Sequence, residues 1–159
     1  MPNRPPKLDR IDRKILAILQ GDGRLANAAL ARKVNLTPTP CLERVRRLEK
    51  LGYIKGYRAV LEPHLLGAGL LVFVEITLNR NAPELFREFR QAVQKLPEVL
   101  DCHLVSGNFD YLIKARVRDM EAYRRLLGDR ILPLPGVNAS RSYVVMEEIK
   151  ETLAIPVAE

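Results

Sequence analysis

The sequence predicts an α+β protein in two parts: a helix-turn-helix over residues 8–53 and a ferredoxin-like βαββαβ sandwich over residues 67–150, joined by a linker strand at 54–66. Three observations carry this expectation. Apolar residues recur every three or four positions up to Gly52 and every second position after it, a change from helical to strand period. The basic charge is confined to the first third of the chain. The segments after residue 67 then alternate in the order β, α, β, β, α, β, which is the split βαβ arrangement.

The charge distribution is uneven. The 159 residues carry a net charge of +7, but residues 1–60 hold 14 Lys and Arg against 5 Asp and Glu, or +9, whereas residues 61–159 hold 12 against 14, or −2. A basic module joined to a nearly neutral one fits an anionic partner such as nucleic acid for the first part only. The composition, 47% hydrophobic and 28% charged, is that of a folded globular chain. Two cysteines, Cys41 and Cys102, form neither a disulfide framework nor a zinc ligand set, so a reducing compartment is expected. No run of 18 apolar residues exists, and MPNRPPK lacks the apolar centre of a signal peptide, so no membrane association and a cytoplasmic location are expected.

Residues 1–7, with three prolines, Arg4 and Lys7, read as a flexible basic arm. Leu8, Ile11, Ile15, Leu16, Ile18 and Leu19 then form one apolar stripe, predicting a first helix stopped by Gly21 and Gly23. Asn27 is placed to cap a second, short helix, NAALARKV. The stretch TPTPCLERVRRLEKLG follows, with two prolines ahead of a strong helical pattern. Proline is tolerated in the first helical turn, whose amide hydrogens have no intrahelical acceptor. With Thr37 as cap, Pro38 and Pro40 therefore start a third helix sharply and prevent the second from running into it.

At 100° per residue the third helix turns Cys41, Leu42, Val45 and Leu48 to one side and Thr39, Glu43, Arg46, Arg47 and Lys50 to the other. A short helix, a tight corner and a second helix with a basic outer side make a DNA-reading unit whose second helix enters the major groove. The alternative is a three-helix bundle with a solvated charged face; the charge asymmetry favours DNA. The candidate contacts to double-stranded DNA are Thr37, Thr39, Pro40, Glu43, Arg44, Arg46, Arg47 and Lys50.

YIKGYRAVLEP alternates up to Pro63 and predicts the linker strand. GLLVFVEITLN is β-rich, APELFREFRQAVQKL has helical spacing, VLDCHLVSG and FDYLIKARV are strands about a Gly-Asn corner, DMEAYRRLLGDRIL is a helix, and VNASRSYVVMEEI a last strand. Both helices of such a sandwich lie on one sheet face, so the other needs a cover. Val72, Val74 and Ile76 are expected on the uncovered face, against a second copy of the chain in a homodimer.

Taken together, LDRIDRKIL, LTPTPCLERVRRLEKLGYIKGY, LLVFVEITLNR, CHLVSGNFDYLIKARV and LPGVNASRSYVVMEE resemble the Lrp/AsnC family of bacterial transcription factors over roughly residues 8–150. The tail ETLAIPVAE, residues 151–159, lies outside the resemblance. The resemblance implies a winged helix-turn-helix and a regulatory domain that binds an amino-acid effector, leucine first, at a contact between dimers that assemble into an octamer. On that basis the protein is also expected at the nucleoid. Transferred by motif, the effector site comprises Leu104, Ser106, Gly107, Asp110 and Tyr111, with Met120, Tyr143, Val144 and Val145 beside them. An amino-acid ligand needs polar donors, an acidic acceptor and an apolar wall; Ser106 can donate, Asp110 can accept from an ammonium group, and Leu104, Met120 and Val144 can form the wall. Without the family, SGNFDY is a plain hairpin corner.

Catalysis is not expected. Cys102 and His103 are adjacent in a strand and point to opposite faces, His64 stands alone beside Pro63, and neither a phosphate-binding glycine loop nor a metal-ligand spacing occurs. The rival from another class is an architectural DNA-compacting protein with no effector, acting through backbone contacts and multivalency.

Overall fold

A computed structural model describes residues 7–79 and 83–157. The elements run α1 (Arg10–Gly21), α2 (Asn27–Lys33), α3 (Pro38–Lys50), β1 (Leu70–Leu78), α4 (Pro83–Val93), β2 (Val99–Leu104), β3 (Tyr111–Val117), α5 (Met120–Arg125), a π-helical turn (Leu126–Ile131) and β4 (Val137–Val144). The basic arm expected at 1–7 falls outside the described residues except for Lys7. The chain forms two compact units, one from the residues up to Val60 together with those from Lys150 onward, the other Leu61–Ile149.

In the first unit, α1 begins with a reciprocal cap: the Asp9 carboxylate accepts from the Asp12 amide, and the Asp12 carboxylate accepts from the Asp9 amide. Asn27 does not cap α2. Ala26 precedes the helix, and the Asn27 amide instead donates to the Pro38 carbonyl at 2.8 Å, tying the start of α2 to the start of α3. The corner between α2 and α3 is closed by Asn35 in the left-handed region at φ 58°, which lets Leu36 N–H reach the Ala31 carbonyl. Thr37 occupies the position before α3 without a side-chain hydrogen bond, and Pro38 is the first helical residue. Gly52, at φ 77°, ends α3 as expected, with Tyr53 N–H bonded to the Leu48 carbonyl. Ile15, Leu30, Ala31, Val34, Cys41 and Leu48 make the buried core; Leu42, expected with them, is exposed. The tail packs in this unit: the Gln20 amide donates to the Ile155 carbonyl and accepts from its N–H.

No strand forms over 54–66, where the alternation predicted one. A strand exists only as part of a ladder, and among the described residues this segment joins none.

The second unit is a four-stranded antiparallel sheet in the order β2-β3-β1-β4, the ferredoxin-like arrangement. The face covered by the helices carries Val72, Val74, Ile76 and Leu78 from β1 and Tyr111, Ile113, Ala115 and Val117 from β3, packed with Phe89 and Val93 of α4, Tyr123 of α5, and Leu126 and Ile131. This corrects the expectation that Val72, Val74 and Ile76 await a second chain. The period of two decides which residues share a face, not which face the helices occupy. The open face holds Phe73, Glu75 and Thr77 of β1, with Lys114 and Tyr143 flanking Phe73 and Leu112 and Arg141 flanking Glu75. The second helix of the sandwich widens into its π turn at Leu126, which brings Leu126 and Ile131, five residues apart, both into the core.

Candidate nucleic-acid and effector interfaces

Besides the shared core, ion pairs tie α3 to α1. The Asp12 carboxylate is only 1% exposed, and it accepts from Arg44 Nη1 at 2.8 Å and from Arg47 Nη2 at 2.5 Å. Arg44 also reaches Asp9 at 2.6 Å. These bonds, to Asp9 first and Asp12 second, raise the Arg44 guanidinium above its ordinary pKa. The hydrogen bond from the Asp12 amide, and then that from Arg44, hold the Asp9 carboxyl below its ordinary value. Of the expected DNA contacts, Arg44 is thus committed to an internal cluster, while Arg47 is tied at one edge and about half exposed. Thr37, Thr39, Glu43, Arg46 and Lys50 are exposed, and Pro40 is half-buried. Asp9 and Asp12 were absent from the expected site; two aspartates three apart ahead of an apolar run are the signal that points to them.

Tyr57 closes the other end of this unit. Its hydroxyl donates to Glu49 of α3 at 3.0 Å, and desolvation, followed by that bond, pushes the phenol up to about 12.

In the second unit the strand register separates the expected effector residues into two groups. Leu104 pairs with Tyr111 and Tyr111 with Ile76, so the 105–110 corner lies at the C-terminal end of β1. Val144 pairs with Val72, and Val117, just ahead of Met120, pairs with Leu70, so Met120, Tyr143, Val144 and Val145 lie at the opposite end of that strand. From Val72 to Ile76 is roughly 13 Å at 3.3 Å per residue. One chain does not bring the two groups together.

Within the first group, Leu104 and Ser106 are exposed, whereas Tyr111 is a core residue. Its ring stacks at 4.6 Å from that of Phe89, its hydroxyl is buried without a partner among the described residues, and burial raises its pKa. Gly107 holds φ 157°, and a side chain there would meet nothing within 4 Å, so backbone conformation rather than close approach calls for glycine. Asp110 is 7% exposed and its Oδ2 accepts from the Leu78 amide at 2.7 Å. The expected ammonium acceptor is therefore already bonded to the end of β1. Val145 continues the path of β4, its amide donating to the Leu71 carbonyl. A cleft of about 400 Å³ elsewhere in this unit, lined by Glu98, Arg116, Asp129 and Arg130, contains none of the expected residues, and its Arg130 is paired with Glu98 at 2.8 Å. Cys102 is half-buried on β2, and desolvation pushes its thiol up to about 11.

A basic helix-turn-helix unit and a separate ferredoxin-like unit with polar corners define a DNA-binding regulator with a sensory domain. Residues 8–55 match the winged helix-turn-helix DNA-binding model, and residues 71–155 match the Lrp/AsnC ligand binding domain. The chain belongs to the Lrp/AsnC family and is an amino-acid-responsive transcriptional regulator. It is 65% identical over 150 residues to the leucine-responsive regulatory proteins of Escherichia coli K12 and Klebsiella pneumoniae, covering 94% of this chain and 92% of each of those. Among solved structures, a transcriptional regulator of Neisseria meningitidis in complex with L-methionine superposes with a TM-score of 0.91 at 39% identity, over 94% of this chain and 97% of that one. The AsnC protein of E. coli superposes at 0.86 with 25% identity, over 94% and 99%. These relatives are regulators, not enzymes. Among the described residues no helix is long and apolar enough to cross a membrane.

Proposed function

We propose that leucine is the effector and that its site is built from two copies of the chain, one supplying the Leu104–Asp110 corner and the other the Met120 and Tyr143–Val145 end. The observation that carries this reading is the separation of the two groups along β1, each with an exposed apolar side chain: Leu104 at 63% on one, Met120 at 53% on the other. Leu104, Met120 and Val144 would wall an aliphatic side chain, and the backbone around Ser106 and Gly107 would meet the charged end. Asp110 orders the corner instead of receiving the ammonium group. The names of relatives at 65% identity support leucine over other amino acids. A site that one chain cannot complete supports pairing of copies through these ends, in this reading between dimers that assemble into an octamer, and a DNA-binding regulator would act at the nucleoid in the cytoplasm. The outer side of α3, with Arg46 and Lys50 foremost, carries the DNA contacts, and the residues at 54–66 serve as the connection between the units.

Calorimetric titration of leucine, and separately of methionine, into the full chain with light scattering in parallel tests the proposal. Leucine should bind and change the association state, and Leu104→Ala and Met120→Ala should each weaken it. Binding unaffected by either substitution would place the site elsewhere. An effector-free compacting protein would bind neither amino acid.

A further inference from the structure

The four charges Asp9, Asp12, Arg44 and Arg47 cancel within one cluster at the junction of α1 and α3. Arg44 and Arg47 are three apart, so both project from the side of α3 that faces α1. Arg47 differs from its neighbours. Arg46 and Lys50 have no ion-pair partner among the described residues, while Arg47 has one edge of its guanidinium on Asp12 and is 52% exposed. Drawing Arg47 fully onto a phosphate would leave the Asp12 carboxylate, at 1% exposure, short of one of its donors.

We infer that Asp12 is a positioning residue for DNA recognition: its buried carboxylate withholds Arg47 from indiscriminate phosphate contact and fixes the guanidinium for contact with the matching duplex only. The inference rests on the outer side of α3 meeting DNA. Affinity for any duplex then comes from Arg46 and Lys50, whose free charges displace counterions, and Arg47 contributes discrimination.

The test is fluorescence anisotropy on the full chain across a salt series, with two duplexes: one recovered by the parent protein from a randomised pool, the other its scrambled counterpart. In Asp12→Asn the freed Arg47 should tighten binding to the scrambled duplex several-fold at low salt. It should also steepen the slope of log K against log salt by about one, the effect of one added phosphate contact, and lower the preference for the selected duplex. Adding Arg47→Gln should return the slope to its parental value. In the parent background, Arg47→Gln should change the slope for the scrambled duplex less than Arg46→Gln does. A parental slope and preference in folded Asp12→Asn, or equal slope changes for Arg46→Gln and Arg47→Gln, would overturn the inference. If circular dichroism finds Asp12→Asn unfolded, the comparison of Arg46→Gln with Arg47→Gln decides alone. If Arg46→Gln is silent too, the assignment of DNA contacts to the outer side of α3 is what fails, and the inference falls with it.

Discussion

The Asp110 carboxylate accepts a 2.7 Å hydrogen bond from the backbone amide of Leu78, thirty-two residues away, at the point where the pairing of β1 with β4 shifts register. Asp110 N–H in turn donates to the Ile76 carbonyl, so the corner after β2 is fastened to the end of β1 by both backbone and side chain. A bulge leaves ladder groups without their usual partners, and Asp110 supplies one. Asp110→Ala should therefore destabilise the second unit by about 1–3 kcal/mol, the cost of a buried amide without an acceptor, while Asp110→Asn, which keeps an oxygen, should cost less. Urea unfolding of both variants checks this. If Asp110→Asn weakens leucine binding at unchanged stability, the carboxylate meets the effector after all.

The two faces of β1 predict opposite outcomes for the same substitution. Val74 is fully buried under α4 and α5, so Val74→Asp places an unpaired charge in the core and should abolish the fold of the second unit. Phe73 faces the open side beside Lys114 and Tyr143. Phe73→Asp should leave the fold intact and weaken association between chains. Sedimentation velocity with circular dichroism distinguishes the two; a stable parental monomer would mean that the open face is not an interface.

Two glycines of the second unit share a left-handed backbone but not a neighbourhood. Gly67 has φ 65° with open space where a side chain would project; Gly136 has φ 78°, and an added Cβ would lie 2.8 Å from the Leu85 Cβ. Gly67→Ala should cost about 1 kcal/mol from conformation alone, and Gly136→Ala a further 1–3 kcal/mol from overpacking. Thermal melts of the two variants, run side by side, measure the difference; equal shifts would mean that α4 yields at Leu85.

The depressed pKa of Asp9 has a definite pH consequence. Its carboxyl is held below its ordinary value in the folded chain, first by the hydrogen bond from the Asp12 amide and then by Arg44. A group depressed on folding contributes stability above its unfolded pKa and loses it as pH falls through the folded value. The helix-turn-helix unit should therefore lose stability below about pH 4, and Asp9→Asn should make the dependence of stability on pH shallower in that range. Urea titrations monitored by helical ellipticity at a series of acid pH values check it; an unchanged slope in the variant would assign the acid response to other carboxylates.

The sequence by itself determined the order of the helices and of the four sheet strands, though not the fate of the linker or the π turn after α5. Each depends on local chemistry: the spacing of Leu8 through Leu19 for α1, prolines tolerated only in a first turn for α3, glycine at 52 for its end, and strict alternation for the strands. It also placed the basic charge on the first unit. Tertiary structure decided what each face and each charge does. Parity along β1 grouped Val72, Val74 and Ile76 but could not say that helices cover them, because that depends on the hand of the connections rather than on the strand. Helical angle turned Arg47 outward with Arg46, but only the packing of α1 brought Asp12 to within 2.5 Å of it. The linker's alternation was legible, yet pairing needs a neighbouring strand, and no local pattern supplies one. The effector residues were named by motif, and the register then set them at opposite ends of one strand. Distance across a sheet is fixed by which strands pair, and strand pairing is a property of the whole chain.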